Sequence, residues 1–375
     1  MSDHLIPATQ FRELFLANTP FLDVRAEVEF AKGRFPTSHN LPILNDAERQ
    51  RVGTCYKQEG RAAAIELGHS LVTGQTKAAR IEAWCQFATA HPGAHLYCWR
   101  GGMRSNFARQ WMHEAGVDMP LIDGGFKALR RVLIDEIDDA AGGLTMLRIG
   151  GKTGTAKTVL INAIDGSIDL EAHANHRGSS FGRRVSGVPS QVDFENALGI
   201  DLLQKRHAFP GRTLVFEDES RRIGACAIPQ AFFDRLHASP VAIVEMPLAF
   251  RIQRIAQEYV IDMSREFAEA YPADGWELFV DYLTQSLVRV QKRLGMERFR
   301  NIAEQMDDAL ALQKASGDCS RHEAWIRALL NDYYDPMYDY QLAKQADAIA
   351  FRGSYDDVLE WTRENSQRQP GLVDA

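Results

Sequence analysis

Short apolar runs alternate with longer amphipathic stretches in the first third of the chain. The mostly apolar runs Phe21–Val24 and His95–Cys98 have the length of buried strands, and apolar residues recur at helical spacing over 77–91 and 126–137. Strands that alternate with helices pair side by side through crossover connections. The pattern therefore predicts a parallel α/β sheet.

A second α/β pattern begins at about residue 144. The strands predicted from its apolar runs are 144–149, 213–216, 241–244 and 348–351, and a further short strand is predicted over 168–170. Between the last two, charged and apolar residues recur at spacings of three and four, which predicts a helical insertion over about 248–342. Ser354 and Asp357 have the spacing of a helix cap and predict a final helix after the last strand.

The stretch 138–143, rich in acidic and small residues, separates the two patterns and predicts a linker. At 375 residues, the chain is long enough for about two domains. We therefore predict an N-terminal α/β domain over 1–137 and a C-terminal α/β domain over 138–375 that carries the helical insertion.

The composition is that of a globular protein, with 45% hydrophobic and 25% charged residues. The first residues, MSDHLIPATQFRELF, lack the features of a secretory signal, and no run of about 18 apolar residues occurs. Five cysteines are widely spaced and never form a CxxC pair, which disfavours a disulfide framework or zinc knuckle. We expect a cytoplasmic protein without a membrane partner, in which a functional cysteine acts alone.

The formal net charge of −7 gives no general attraction to nucleic acid, so a polyanionic partner needs a local basic surface. Basic residues are grouped at several places, and each group is either a solvated face or part of such a surface. The groups are Arg177, Arg183 and Arg184; Arg221 and Arg222; and Arg289, Lys292 and Arg293.

A cysteine lies in a loop between a predicted strand and a predicted helix. Cys98 ends the strand, Gly101 and Gly102 follow in the turn, and the helix begins near Arg104. Glycines let backbone N–H groups turn toward the sulfur, and the helix N-terminus and Arg104 supply positive potential that stabilises a thiolate. The alternative is an inert buried cysteine, but the glycines and the arginine favour a reactive one. The catalytic candidates are Cys98, Arg100 and Arg104.

A second loop has the Walker A pattern of phosphate sites, except that Ala156 stands where the second glycine is expected. In that motif backbone N–H groups cradle phosphates, Lys157 reaches their outer oxygens, and Thr158 can bind Mg²⁺. The alternative is a chance strand-to-helix turn, but the strand-loop-helix context favours a phosphate site. The predicted phosphate-binding residues are Gly151, Lys152, Thr153, Gly154, Thr155, Ala156, Lys157 and Thr158.

Carboxylates follow the predicted strand 213–216, where an acid that positions Mg²⁺ or water is expected. Asp218 is the preferred candidate and Glu217 the second, and a solvated strand end is the alternative. Two histidines in the polar loop 173–182 lack further ligands at a supportive spacing, so an ordinary loop is favoured over a metal site. Candidates for substrate binding are Gly68, Asn175, His176, Arg177, Ser179, Ser180 and Arg221.

Four tyrosines are concentrated in the segment 333–340. They could stack on bases or form the wall of an apolar ligand site. Packing of the helical insertion onto the core explains them equally well.

The N-terminal part of the chain resembles the rhodanese family. Five residues separate Cys98 from Arg104, whereas common sulfurtransferase loops have four, and the longer spacing is similar to that of dual-specificity phosphatases with the rhodanese fold. The resemblance implies a wider cradle, which could admit a phosphorus-centred or selenium-bearing donor. It is carried by the cysteine loop and by Asp23-Val24-Arg25, Glu29-Phe30, Gly33-Arg34-Phe35-Pro36, Asn40-Leu41-Pro42 and Asp123-Gly124-Gly125.

Nearly the whole chain resembles the bacterial tRNA 2-selenouridine synthase family, in which a rhodanese-like domain is joined to a P-loop domain. The resemblance implies a transferase that geranylates 2-thiouridine at the wobble position of tRNAs for lysine, glutamate and glutamine. Selenium from selenophosphate then replaces the S-geranyl group. The matching segments are 98–105, 151–158, 175–182, 217–221 and 334–338.

The same resemblance implies roles for both loops. Cys98 would carry selenium as an S-selanylcysteine intermediate. The phosphate loop would hold the diphosphate of geranyl diphosphate, with Mg²⁺ as a candidate ion and no obligatory nucleotide.

Two other functions remain compatible with the residues alone. One is a P-loop kinase fused to a rhodanese-like phosphatase that acts on a small phosphorylated substrate. The other is a non-catalytic regulator that binds tRNA or nucleotide. The mass of tRNA incubated with geranyl diphosphate and selenophosphate distinguishes them from the transferase, since both leave the tRNA unmodified.

Overall fold

The computed structural model describes residues 5–367, which form two compact units. The N-terminal unit comprises the described residues up to Asp139 together with Ser190–Gln204. The C-terminal unit comprises Ala140–Pro189 and the described residues from Lys205 onward. Over residues 5–367, every helix is too short or too polar to cross a membrane.

A parallel five-stranded sheet forms the centre of the N-terminal unit. Its strands are β1 (Leu5–Ile6), β2 (Phe21–Asp23), β3 (Ser38–Asn40), β4 (His95–Tyr97) and β5 (Leu121–Ile122). Their order across the sheet is β1-β5-β4-β2-β3, which places β4 at the centre. Leu22 and Leu96 are fully buried because helices cover both faces, so these strands have continuous apolar runs rather than alternating ones.

Seven helices of this unit connect and cover the strands. They are α1 (Phe11–Leu16), α2 (Glu27–Ala31), α3 (Asp46–Glu59), α4 (Arg61–Leu71), α5 (Gly74–Ala90), α6 (Met103–Glu114) and α7 (Gly125–Gly143), with a 3-10 turn at Ala8–Gln10. One apolar cluster contains Trp84 and Trp111, and a second contains Phe15 and Phe35. The strands lie between these two clusters and thereby hold the cysteine loop at their carboxyl ends.

The C-terminal unit is also built on a parallel five-stranded sheet, with a small antiparallel hairpin beside it. The strands are β6 (Met146–Gly151), β7 (Ser167–Ile168), β8 (Leu214–Glu217), the hairpin strands β9 (Arg222–Ile223) and β10 (Cys226–Ala227), β11 (Val241–Val244) and β12 (Ile349–Gly353). The order in the main sheet is β12-β11-β6-β8-β7. The phosphate loop therefore follows the central strand β6.

The remaining helices follow in chain order. They are α8 (Lys157–Asn162), α9 (Leu170–His173), α10 (Gln191–Ala208), α11 (Gln230–His237), α12 (Leu248–Ala256), α13 (Asp262–Ala270), α14 (Gly275–Val288), α15 (Gln291–Leu294), α16 (Met296–Ser316), α17 (His322–Leu329), α18 (Asp335–Lys344) and α19 (Tyr355–Gln367). Two π-helical segments, Gln257–Ile261 and Leu330–Tyr334, and a 3-10 turn at Ala346–Ala348 complete them. The helices from α12 to α18 share an apolar core around Phe279, Ile302 and Trp325.

The predicted linker at 138–143 is wrong, because these residues form the last part of α7. Ile137 and Ala140 are buried, so the apolar face of the helix continues through the acidic stretch. Alanine favours helix, and the two glycines end it rather than form a flexible connection. The predicted strand Ile168–Leu170 is also shorter, since β7 ends at Ile168 and α9 begins at Leu170.

Helix α10 differs from the prediction that all residues from 138 onward belong with the phosphate loop. Ser190–Gln204 instead belongs to the N-terminal unit. Leu203 is buried in the cluster that contains Phe15 and Phe35, and Val192 packs against the same cluster. The apolar face of α10 thus finds its partners in the N-terminal unit, which the local sequence pattern does not reveal.

Candidate active sites

The cysteine loop begins where β4 ends. Cys98 is 3% exposed, and its Sγ lies 3.1 Å from the hydroxyl oxygen of Ser105 on the first turn of α6. Ser105 is fully buried, and its hydroxyl lies 3.1 Å from the carbonyl oxygen of Gly102. A hydroxyl has one proton, so it can donate either to Gly102 or to a thiolate at Cys98. Ser105 belongs to the matching segment 98–105, but the sequence alone gives it no role at the sulfur.

Two glycine segments hold the cysteine loop by close backbone contact. Gly125 has a φ of +60°, and a Cβ there would lie 2.3 Å from the carbonyl oxygen of Cys98. Gly101 has a φ of +63°, and its Cβ would lie 2.8 Å from the nitrogen of Gly124. The N–H of Phe126 donates to the carbonyl oxygen of Cys98 at 2.8 Å. Only glycine fits both positions, so the loop around the sulfur has a fixed backbone shape.

Arg104 is oriented by Glu29 of α2. Its Nη1 and Nη2 donate to Oε2 and Oε1 of Glu29 at 2.5 and 3.1 Å, and Nε of Arg49 lies 3.2 Å from Oε2. Burial opposes ionisation of Glu29, but Arg104 and Arg49 outweigh it and lower the pKa of the carboxyl. Burial also opposes the charge on Arg104, yet Glu29 and then Cys98 raise the pKa of the guanidinium. Arg100, the other catalytic candidate, is exposed on the outside of the loop.

A mainly apolar cavity of about 470 Å³ opens beside the start of α6. Gly68 and Arg104 both line it, so the structure brings these two predicted residues to one place. A Cβ at Gly68 would meet only Val52, at 4.0 Å. The apolar wall includes Ile43, Val52, Ile65, Phe107 and Trp111, and the rim includes Arg49 and Lys57.

The phosphate loop connects β6 to α8 in the arrangement that the Walker pattern predicts. The Nζ of Lys157 donates to the carbonyl oxygens of Gly151 and Lys152 at 3.0 and 3.4 Å. Burial opposes its charge, but Tyr338 and a group of carboxylates raise the pKa of this lysine, so it stays a cation. Loop residues from Thr153 to Thr158 line a cavity of about 360 Å³.

Ala156 adopts a left-handed conformation, with φ of +64° and ψ of +30°. Glycine occupies such positions without strain, whereas a Cβ costs about 1 kcal/mol or more. The loop therefore keeps the shape of a glycine-containing phosphate cradle at the expense of local strain.

Glu217, rather than Asp218, meets the phosphate loop. The hydroxyl of Thr158 lies 3.4 Å from Oε1 of Glu217, and the N–H of Glu171 donates to Oε2 at 3.0 Å. Asp218 accepts instead from Arg148 and Gln345, at 2.5 and 3.0 Å. The preference for Asp218 is therefore corrected, because successive residues at a strand end point to opposite sides.

Glu171 and Glu219 complete an acidic group beside Lys157, and of the two only Glu219 lies in the carboxylate run noted in the sequence. Their side chains hydrogen-bond to each other. Burial is the main cause that raises the pKa of Glu171, Glu217 and Glu219, and mutual repulsion adds to it at Glu171 and Glu217. Glu171 follows β7 by only a few residues, as Glu217 ends β8, and this position at the carboxyl end of a parallel strand was the available signal.

Helix α18 holds the outer side of the phosphate loop. Arg251 is 4% exposed and donates to both carboxylate oxygens of Asp335 at 2.8 and 2.6 Å, and to the carbonyl oxygen of Thr153 at 2.8 Å. Lys152 lies 2.8 Å from Oδ1 of Asp339. These contacts anchor the loop to the helical insertion.

The four tyrosines of 333–340 have different environments. Tyr333 and Tyr334 are buried in the apolar core of the insertion, as the packing alternative predicts. Tyr338 lines the phosphate cavity, with Nζ of Lys157 5.9 Å from its ring centre. Tyr340 is 63% exposed. The segment therefore combines packing with one residue at the site.

The polar loop 173–182 supplies part of the phosphate cavity wall. Arg177 and Ser179 line the cavity. Asn175 donates to the carbonyl oxygen of Gly187 at 2.5 Å and to Ser186 at 2.8 Å, which shapes the loop. Ser180 accepts from Arg289 through its carbonyl oxygen. Arg221 is exposed next to β9 and does not line the phosphate cavity.

His176 is enclosed between two glycines. A Cβ at Gly182 would lie 2.7 Å from Cε1 of the ring, and a Cβ at Gly224 would lie 2.6 Å from Cδ2. Burial, followed by the charges of nearby arginines, lowers the pKa of His176 to about 4. The ring is therefore neutral at physiological pH.

Across residues 5–367, no three His, Cys, Asp or Glu side chains are grouped so that they could hold a metal ion. A Mg²⁺ ion bound with phosphate needs fewer protein ligands, because water and phosphate oxygens complete its octahedral shell. The hydroxyl of Thr158 and the carboxylate of Glu217 are oxygen donors at the phosphate loop and fit such an ion.

Comparison with known proteins places this chain among enzymes that modify tRNA. The family model described as the AAA domain of tRNA 2-selenouridine synthase matches residues 144–369. The tRNA 2-selenouridine synthase of Pseudomonas fluorescens (strain Pf-5) is 48% identical over 363 residues, which cover 97% of this chain and 100% of the relative. That of Bordetella petrii is 49% identical over 356 residues, 94% of this chain and 95% of the relative. That of Photobacterium profundum is 48% identical over 352 residues, 94% of this chain and 96% of the relative. The chain therefore belongs to the tRNA 2-selenouridine synthase family.

Proposed function

We propose that the chain converts 2-thiouridine at the wobble position of tRNAs for lysine, glutamate and glutamine into 2-selenouridine in two steps. In the first step, the sulfur attacks C1 of geranyl diphosphate, the carbon–oxygen bond breaks and diphosphate leaves. In the second step, selenium derived from selenophosphate replaces the S-geranyl group at C2. The first step prepares the second, because a geranylthiolate is a better leaving group than unalkylated sulfur.

The charge and position of Lys157 support the first step of this proposal. Its pKa is raised, so it stays protonated at the mouth of a cavity that the phosphate loop lines. Negative charge develops on the diphosphate as the carbon–oxygen bond breaks, and a fixed cation with backbone N–H groups stabilises that charge. Diphosphate departure therefore needs no nucleotide hydrolysis at this loop.

Two properties of the site make the acidic group beside Lys157 compatible with an anionic substrate. Burial raises the pKa of Glu171, Glu217 and Glu219, so these groups take up protons more readily than exposed carboxylates when diphosphate approaches. Mg²⁺ held by Thr158 and Glu217 would supply further neutralisation of the leaving diphosphate.

Cys98 carries the second step as an S-selanylcysteine intermediate: its thiolate attacks selenium, the phosphorus–selenium bond breaks, and the bonding pair leaves with phosphorus as phosphite. The selenium then attacks C2 and expels geranylthiolate, and a small-molecule thiol reduces the remaining sulfur–selenium bond to release 2-selenouridine and the cysteine thiol.

The sulfur of Cys98 lies 3.1 Å from the buried hydroxyl of Ser105, which can donate to a thiolate, and it is close enough to Arg104 to contribute to the pKa of that guanidinium. Both groups stabilise negative charge at the sulfur. The cysteine loop belongs to the N-terminal unit, which we propose is a rhodanese-like domain that also includes Ser190–Gln204, and the C-terminal unit is the P-loop domain. We place this reaction in the cytoplasm, where the enzyme would use selenophosphate to modify the anticodon arm of tRNA.

The test measures the mass of tRNA carrying 2-thiouridine after incubation with the protein, geranyl diphosphate and selenophosphate. Cys98→Ser should block selenium entry and leave geranylation intact. Lys157→Ala should impair geranylation and leave selenium entry into previously geranylated tRNA intact. Tight ATP binding with tRNA-dependent turnover, without binding of geranyl diphosphate, would overturn the role proposed for the phosphate loop.

Family membership favours tRNA modification over the two other functions compatible with the sequence. A kinase joined to a phosphatase would consume nucleotide and leave the mass of tRNA unchanged. A non-catalytic regulator would bind tRNA or nucleotide without consuming nucleotide and without changing the mass of tRNA.

A further inference from the structure

Three arginines from distant parts of the sequence line one surface cavity of the C-terminal unit. Arg183 and Arg184 come from the segment after α9, and Arg289 is the C-cap of α14. The cavity has a volume of about 730 Å³. The sequence shows these arginines only as members of separate basic groups, and the fold brings them together.

Among residues 5–367, none of the three arginines of this cavity forms a salt bridge with a carboxylate. Within the described part of the chain, Arg183 and Arg184 have no ion-pair partner. Arg289 donates to the carbonyl oxygen of Ser180 at 2.7 Å and to the hydroxyl of Ser286 at 3.3 Å. Burial and then the charge of Arg183 lower the pKa of Arg289, while Asp281 and two tyrosines act in the opposite direction. Such a cluster is stabilised when an anion binds.

His176 provides a neutral and rigid floor for the cavity. It is 7% exposed, and its Nδ1 is a buried atom without a hydrogen-bond partner among residues 5–367. The glycines on either side of the ring fix its position. Because its pKa is low, the ring adds no charge of its own, and the arginines supply all the positive potential.

The arginine cavity adjoins the phosphate cavity. Gly178, Ser179 and Arg184 line both cavities, so a polyanion bound along the arginines would pass the entrance to the phosphate loop. The carboxylates Glu171 and Glu219 line the phosphate cavity and not the arginine cavity. The arginine cavity therefore offers cations to a phosphate backbone without a carboxyl group in its lining, and the loop itself is left to the diphosphate.

We infer that the arginine cavity binds the phosphodiester backbone of the tRNA strand whose modified base reaches the phosphate loop. Guanidinium groups bind phosphate through paired hydrogen bonds, and backbone contacts fix the position of a nucleic acid without reading its sequence. The exposed side chain of Val188 also lines the cavity and offers an apolar contact for a ribose or a base. The inference deepens the proposed function, because it takes tRNA as the macromolecular substrate.

The test is the affinity for tRNA, measured by fluorescence anisotropy over a series of KCl concentrations. The double variant Arg183→Gln/Arg289→Gln should bind tRNA about tenfold or more weakly. The slope of log affinity against log salt should decrease by about 0.7 to 0.9 for each phosphate that the variant no longer binds. Arg298→Gln is the matched control, since this exposed arginine of α16 does not line either cavity.

Further measurements distinguish RNA binding at this cavity from binding of a small anion, and distinguish both from a folding defect in the variant. Binding of inorganic diphosphate should be the same in the double variant and in the wild type, because neither Arg183 nor Arg289 lines the phosphate cavity. Arg289→Lys should retain most of the salt slope, since it keeps the charge. Wild-type tRNA affinity and slope in the double variant would overturn the inference, as would loss of inorganic phosphate binding with unchanged tRNA binding. The assay needs no geranylation, so a failure of the proposed chemistry would be visible separately.

Discussion

The hydroxyl of Thr158 lies 3.4 Å from the carboxylate of Glu217. The next residue in the chain, Asp218, has a different partner. Asp218 binds Arg148, a side chain only 1% exposed. Two neighbouring acids therefore have different tasks. Glu217 belongs to the site, and Asp218 neutralises a buried cation.

The different tasks predict opposite effects of two substitutions. Glu217→Gln keeps the size of the side chain and removes its charge, so we expect Mg²⁺-dependent binding of inorganic diphosphate to weaken by about tenfold with little loss of stability. Asp218→Ala leaves Arg148 without its carboxylate, so we expect the free energy of unfolding to fall by about 3 kcal/mol. Titration calorimetry and urea denaturation measure the two effects. If Asp218→Ala abolished diphosphate binding while its stability was unchanged, the assignment would be reversed.

The local sequence was sufficient to predict the cysteine loop and the phosphate loop. It was insufficient to predict the side chains that hold these loops in place. Cys98, Lys157 and Thr158 occur in motifs whose strand-loop-helix order can be read directly, and the structure has that order. Contacts such as Arg251 with Asp335 join residues far apart in the chain, so no local pattern reveals them.

Helix α10 and the end of α7 show the same limit for the fold. The acidic stretch 138–143 has the composition of a linker, but its buried face continues a helix. The apolar face of α10 is visible in the sequence, whereas the unit that receives it is not. Periodicity in the sequence indicates that one face of a helix is buried. Only the tertiary fold determines which residues pack against that face.

The left-handed conformation of Ala156 predicts a stabilising substitution. Glycine adopts a φ of +64° without the steric cost that a Cβ imposes. We expect Ala156→Gly to raise the free energy of unfolding by about 1 kcal/mol, after allowance for the greater freedom of glycine in the unfolded chain. Ala163, the C-cap of the same helix, has a φ of −91°, so Ala163→Gly should stabilise nothing. Urea denaturation of both variants checks the expectation, and equal effects would contradict it.

The contact between Ser105 and Cys98 predicts the reactivity of the sulfur. A hydrogen bond to a charged acceptor is worth about 1.5 to 3 kcal/mol, so Ser105→Ala removes a donor that can hold a charged sulfur in place. We expect Ser105→Ala to slow alkylation of Cys98 by iodoacetamide at pH 7 by about tenfold, as followed by mass spectrometry of the Cys98 peptide. Ser70→Ala is the control, because Ser70 is an exposed residue that bonds only to the carbonyl oxygen of Leu67. An unchanged rate in Ser105→Ala would show that the hydroxyl remains bound to Gly102.

The acidic group at the phosphate loop predicts how stability depends on pH. Burial raises the pKa of Glu171, Glu217 and Glu219 in the folded state, so the folded protein binds protons there more tightly than the unfolded chain. The free energy of unfolding must then fall as pH rises from the unfolded value of about 4.3 to the raised folded values. His176 and His322 have a pKa of about 4, and they reduce stability only as pH falls below about 6.5. Above pH 6.5 these two histidines therefore add little to the dependence of stability on pH.

Urea denaturation between pH 6.5 and about 8.5 should accordingly show stability decreasing with pH in the wild type. Glu171→Gln should flatten this dependence, because the amide cannot ionise and no longer repels Glu217. Glu297→Gln, a change at an exposed position of α16, should follow the wild type. Diphosphate with Mg²⁺ should also flatten the curve, since a bound cation stabilises the ionised carboxylates. A wild-type stability that is constant or rises over this range would mean that the three carboxyls are already ionised in the folded protein, and that charge on the phosphate loop is neutralised by Lys157 alone.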